Sequence, residues 1–103
     1  MQTLFHFAIP EKLSGPVLEK VIPIAGGATI LPAWGYWDNG SVVESEPIVL
    51  VLVGVDVRRE SWLVQAVLGI LREAGESAAW FVRNGIPNLV RFEEKSGNPG
   101  KEE

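Results

Sequence analysis

The sequence predicts a small α+β domain of ferredoxin-like β-α-β-β-α-β order, an antiparallel sheet with two helices on one face. Three observations predict it. Segments with the two-residue alternation of strands and segments with the 3.6-residue stripe of helices follow one another in that order. Two Asn-Gly pairs, at 39–40 and 84–85, stand where strands must reverse. The 103 residues, 47% of them hydrophobic, are one domain's worth of chain with enough apolar content for a modest core. Residues 1–92 read as that domain and residues 93–103 as a disordered acidic tail.

Residues 3–9 read as the first strand, with Phe5, Phe7 and Ile9 on one face and Leu4, His6 and Ala8 on the other. Pro10 ends it. Ser14 suits a helix N-cap, and Pro16 falls in the first turn, where its missing N–H costs nothing. Leu13 and Leu18 are placed for a hydrophobic staple. Val17, Leu18, Val21 and Ile22 make the apolar stripe, and Pro23 with Gly26-Gly27 is expected to end the helix.

Residues 28–37 read as a strand interrupted by Pro32 and Gly35, which marks an edge strand or a bulge. Asn39-Gly40 then predicts a tight type I′ hairpin, with a strand returning over 42–55. Pro47 is expected to bend its start. From Ile48 to Val55 every residue but Gly54 is apolar, so both faces of that strand need cover.

Asp56 is placed to cap a second helix over 57–74. Leu63, Ala66, Val67, Ile70, Leu71 and Ala74 form its stripe, and Gly75 suits the position after its end. Residues 77–83 form a fourth strand. Asn84-Gly85 reverses it, and Leu89–Phe92 forms a short fifth strand. In this fold the first and third strands are central, which matches their freedom from charge, and two right-handed crossovers put both helices on one face. The other face is then apolar and uncovered. A second subunit or a ligand would cover it, or else the C-terminal segment folds across it.

Net charge is −4, of which the tail carries −2. A mildly acidic body suits a phosphate backbone poorly. The third strand also lacks the aromatic and basic residues of an RNA-recognition sheet, so no nucleic-acid partner is expected. With no cysteine, a disulfide scaffold, a thiolate metal site and a cysteine nucleophile are excluded. No signal peptide is read at Met1-Gln2-Thr3-Leu4, and the apolar run 47–55 is too short to cross a bilayer as a helix. The chain is expected to be cytoplasmic, away from membranes and without a cofactor.

The stretch from Gly35-Tyr36-Trp37 through the Asn39-Gly40 turn and Glu44 to the apolar run Ile48-Val49-Leu50 resembles a pattern in uncharacterised bacterial domain-of-unknown-function families. Their chains begin with a Thr-Leu-Phe strand, as Thr3-Leu4-Phe5 does here. It is also similar to short phage-encoded proteins with a Gly-Tyr-Trp hairpin. The resemblance spans 3–83, implies a ferredoxin-like fold and brings no catalytic motif.

Candidate functional residues follow. His6, the only histidine, beside Leu4 on the second sheet face, is either a base or ligand contact or a histidine satisfied in an interface. Trp34 and Tyr36 share one strand face and Trp37 takes the other; they suit a stacking platform, an interface anchor or core packing. Glu44 and Glu46 share a face. They could act as a carboxylate pair, but one histidine and no cysteine leave too few partners for a transition metal, and a charged arm that discourages edge aggregation is the plainer reading. Arg58 and Arg59 stand at the start of the second helix, where an anion could sit, and Arg83 stands by the last hairpin. The leading expectation is a non-enzymatic binding module. It would be a homo-oligomer through the open sheet face, with a protein or small-molecule partner, and a phage accessory or counter-defence role is one version. The alternative is a small dimeric α+β-barrel enzyme with a cavity between sheet and helices.

Overall fold

A computed structural model describes residues 1–92. The elements run β1 (Gln2–Pro10), a 3₁₀ turn (Glu11–Leu13), α1 (Ser14–Ala25), β2 (Thr29–Asp38), β3 (Val43–Asp56), a second 3₁₀ turn (Val57–Arg59), α2 (Glu60–Glu73), β4 (Ala78–Arg83) and β5 (Ile86–Arg91). The sheet order is β2-β3-β1-β4-β5 with every neighbouring pair antiparallel. This is the ferredoxin-like α+β arrangement that the order of patterns predicts. The terminal hairpin moves one sheet edge from β4 to β5. The expected tail lies outside the described residues.

The inner face is built by alternation. Phe5, Phe7 and Ile9 of β1 pair with Val53, Val51 and Val49 of β3, and Phe7 pairs with Phe81 of β4. All are buried, together with Val17 and Val21 of α1 and Leu63, Val67, Leu68 and Leu71 of α2. Phe5 and Phe7 lie with ring centroids 5.3 Å apart, and Phe81 lies 5.5 Å from Phe7. The α2 stripe shifts at its end: Leu68 is buried and Ala74 is exposed. The stripe follows the sheet only as far as Leu71.

Helix starts and stops depart from the simple signals. Ser14 is the first residue of α1 and makes no capping bond, because the chain enters through the 3₁₀ turn. Pro23 lies inside the helix and does not end it. So near the C-terminus it removes one backbone bond without breaking the packed turn. Gly26, with φ 89°, closes the helix by donating its N–H to the Ile22 carbonyl at 2.7 Å. Asp56 does cap, but it caps the 3₁₀ turn, with Oδ1 accepting from the Arg58 N–H at 2.8 Å.

The two Asn-Gly pairs behave differently. Asn84 (φ 48°) and Gly85 (φ 82°) are the two residues between the paired Arg83 and Ile86, as a type I′ turn requires. Asn84 is also pinned to β1: its Oδ1 accepts from the Leu4 N–H at 2.8 Å and its own N–H reaches the Leu4 carbonyl at 2.7 Å. Asn39-Gly40 instead opens a four-residue loop, 39–42, so β3 starts at Val43. Asn39 Oδ1 accepts from the Ser41 and Val42 N–H groups at 3.0 and 3.1 Å, and this side-chain turn replaces the tight one. Pairing of β2 with β3 is unbroken from Thr29↔Leu52 to Asp38↔Val43. Pro32 and Gly35 therefore mark an edge strand and not a bulge.

Candidate functional site

Both helices lie on the inner face, so the outer face is bare. One register row crosses all five strands there: Leu31, Leu50, Ala8, Trp80 and Leu89. The next row holds Thr29, Leu52, His6, Val82 and Pro87. Leu4 stands beside His6 and is exposed. His6 is thus half-buried between Leu52 and Val82, with no side-chain hydrogen bond among the described residues. Its neighbours are apolar, and no carboxylate or second titratable group adjoins it along these rows.

The loop-proximal half of the β2–β3 hairpin carries exposed aromatics on both sides. On its inner side Trp34 and Tyr36 are 61% and 68% exposed, so neither is packed into the core. On its outer side Trp37 bends back over Gly35. A Cβ built on Gly35 would lie 2.5 Å from Trp37 Cζ3 and 3.2 Å from Ile48 Cγ2. Glycine leaves room there for the indole, which any side chain at position 35 would have to displace. Glu46 pairs with Gly35 and Glu44 with Trp37, so both carboxylates flank the indole on the outer face. Glu44 is engaged, accepting from Asn39 Nδ2 at 2.7 Å.

Between the hairpin base and the start of β4 lies a cleft of about 750 Å³. Trp37, Ile48, Leu50 and Trp80 give it apolar walls, and Asp38, Glu46 and Glu76 give it acidic ones. Sheet order brings these residues together from β2, β3, β4 and the loop that precedes β4. Strand alternation sets Trp80 on the face opposite Ala79 and Phe81, but it does not show that Trp80 shares a cleft with Trp37, because that depends on β1 and β3 lying between their strands.

The arginines are positioned elsewhere. Arg58 pairs with Asp56 at 3.0 Å and holds that carboxyl down at about 2. Arg83 pairs with Glu60 at 2.8 Å. Arg59 donates to the Ile24 carbonyl at 3.1 Å. Each cation has a partner inside the chain, so the start of α2 does not present the three arginines free to an outside anion. Among the described residues no group of three His, Asp or Glu side chains could hold a metal, and no helix is long and apolar enough to cross a membrane.

No protein-family model matches the chain, and no curated protein matches it either. Its likeness is to solved structures, and it is one of fold. A DUF3240-family protein from Shewanella baltica superposes with a TM-score of 0.63 at 7% identity, over 94% of this chain and 96% of its own. A phage SAM lyase in complex with S-methyl-5′-thioadenosine gives 0.57 at 10% identity, over 94% and 92%. The periplasmic divalent cation tolerance protein CutA from Archaeoglobus fulgidus gives 0.54 at 13% identity, over 98% and 91%. All are small ferredoxin-like folds.

Proposed function

We propose that this protein is a binding module that pairs with a second copy of itself through the bare sheet face and takes a small ligand in the cleft, whose walls include Ala8, Leu50, Trp80 and Leu89 of that face, so that the second copy would lie over the bound ligand. One observation carries the pairing: an apolar row spans all five strands on the face that no helix covers. Contiguous apolar surface of that extent marks an interaction site. The edges support the same reading. Each edge strand carries a proline, Pro32 in β2 and Pro87 in β5, which offers no N–H to an added strand. The face remains as the surface for association. Light scattering on the intact protein tests this. A dimer or higher oligomer is expected, and Leu52→Glu should give a monomer with unchanged circular dichroism. A native monomer at high concentration would overturn the pairing.

A second reading is a small enzyme acting in the cleft. Glu46 favours it, a carboxylate without a partner among the described residues, in a walled recess beside Tyr36 and Trp37. The phage SAM lyase, solved with S-methyl-5′-thioadenosine, shows a ligand-binding use of this fold in another protein. Incubation with S-adenosylmethionine, followed by chromatography for S-methyl-5′-thioadenosine, separates the readings. Release that Glu46→Gln abolishes supports the enzyme; intact S-adenosylmethionine leaves the binding module.

A further inference from the structure

We infer that the cleft is built to hold an organic cation, with a quaternary ammonium or sulfonium head seated between the Trp37 indole and the Glu46 carboxylate and an apolar or aromatic body lying along Ile48 and Leu50 toward Trp80. This rests on the reading of the cleft as a ligand site; Leu50 and Trp80 also belong to the pairing face, so a second copy would lie over the ligand's body, while the seat at Trp37 and Glu46 lies outside that row and does not require one.

The indole comes first. Trp37 is folded over Gly35 on the outer side of the sheet, lines the cleft and is 46% exposed, so its indole is open to a ligand and is not packed in the core. An indole face attracts cations through its quadrupole, more strongly than other aromatic side chains. The register supplies the charge. Glu46 is the cross-strand partner of Gly35, the residue the indole covers. Unlike Glu44, which Asn39 holds, Glu46 has no hydrogen-bond or ion-pair partner among the described residues. Its neighbour in the cleft is the apolar Ile48. Glu46 is half-buried and neutralised by no side chain there, so a cation entering the cleft would meet its full negative charge.

The rest of the cleft narrows the class. Asp38, which accepts from the Gly40 N–H, and Glu76 add two more carboxylates, while Arg91 is the only basic side chain on its walls, so the lining disfavours anions. A metal ion is disfavoured, since no three ligating side chains gather among the described residues. A volume of about 750 Å³ far exceeds a bare ammonium group and matches a ligand carrying a sizeable body. The apolar floor of Ile48 and Leu50, ending at Trp80, would take that body.

The test uses one aromatic body with three charges: benzyltrimethylammonium, benzyl alcohol and benzoate. Each is titrated into the intact protein while the four indole N–H resonances are followed. Benzyltrimethylammonium should shift the Trp37 resonance and bind about tenfold tighter than benzyl alcohol, with benzoate weakest. Glu46→Gln and Trp37→Leu should each weaken the cation by about fivefold and leave the alcohol unchanged. Glu46→Gln is nearly isosteric on an exposed strand, so it tests the charge without endangering the fold. The inference fails if alcohol or benzoate matches the cation, if both variants bind the cation like the native protein, or if no probe moves Trp37. Light scattering reads the pairing separately. A monomer that binds the cation would overturn the pairing alone, and an oligomer indifferent to charge would overturn this inference alone.

Discussion

Thr3 is the one buried polar residue among the described positions, and its hydroxyl donates to Glu60 Oε2. Glu60 also accepts from Arg83 Nε and Nη2, at 2.8 and 3.2 Å, so one carboxylate ties β1, α2 and β4 together. The Arg83 hydrogen bonds, and then the Thr3 hydroxyl, lower the Glu60 pKa. A carboxyl depressed in the folded state stabilises it above the unfolded pKa, and that contribution is lost as pH falls through the folded value. Asp56, lowered to about 2 by Arg58, acts in the same direction. The urea midpoint should therefore fall with acidification below about pH 4, the ordinary carboxyl range. Glu60→Gln should flatten that fall, and added salt should reduce it, because the ion pairs are partly exposed. At Asn84, substitution by alanine puts a Cβ-bearing residue without a local hydrogen bond at positive φ and strips the Leu4 N–H of its acceptor. A loss of about 1–2 kcal/mol in denaturant stability is expected. The Asn84-Gly85 turn is legible in the sequence, whereas the Thr3–Glu60–Arg83 tie is not. Its members are 57 and 23 positions apart and carry no shared pattern.

At the scale of the element, strand alternation is the most legible signal. The faces of β1 are those the sequence assigns, down to His6 and Ala8 on the bare side. Helix limits and turn types are less legible, because tertiary packing decides them. Pro23 is carried inside α1, and the Asn39 side chain recruits two N–H groups and so lengthens a loop that Asn-Gly would otherwise make tight. The cleft is half legible: Trp37 and Glu46 are evident as candidates, but their apposition needs the β2–β3 register. That register makes the hairpin testable. Gly35→Ala should push the Trp37 ring off its seat while the sheet persists, since only the ring's edge and the Ile48 methyl oppose the new Cβ. A shifted Trp37 indole resonance with an otherwise retained amide spectrum is the expected outcome. Weakened binding of benzyltrimethylammonium should accompany it.

For the whole molecule, the sequence foretells that the second face is uncovered. Val49 to Val55 in β3 alternates between core residues and the outward Leu50 and Leu52, and two helices can shield only one side. The residue patterns do not reveal what meets that face, because the extent of an apolar surface does not name its partner. His6 is the single titratable side chain in the middle of the two apolar rows. Replacing it with leucine removes a polar group that pairing would have to desolvate. His6→Leu should tighten self-association, read by sedimentation equilibrium, with an unchanged circular dichroism spectrum. A weaker association would show that the histidine contributes a bond across the interface, and an unaltered one that it lies outside the buried area.

The prolines at both margins of the sheet bear on how large any assembly grows. Two copies meeting face to face exhaust each other's apolar surface and stop, which is the geometry of closed, two-fold particles. Strands added margin to margin would have no such end, and would run on as filaments. With Pro32 and Pro87 at opposite margins, concentrating the protein should fill a discrete species without turbidity or thioflavin fluorescence. Removing both prolines is the change that should open the route to polymer.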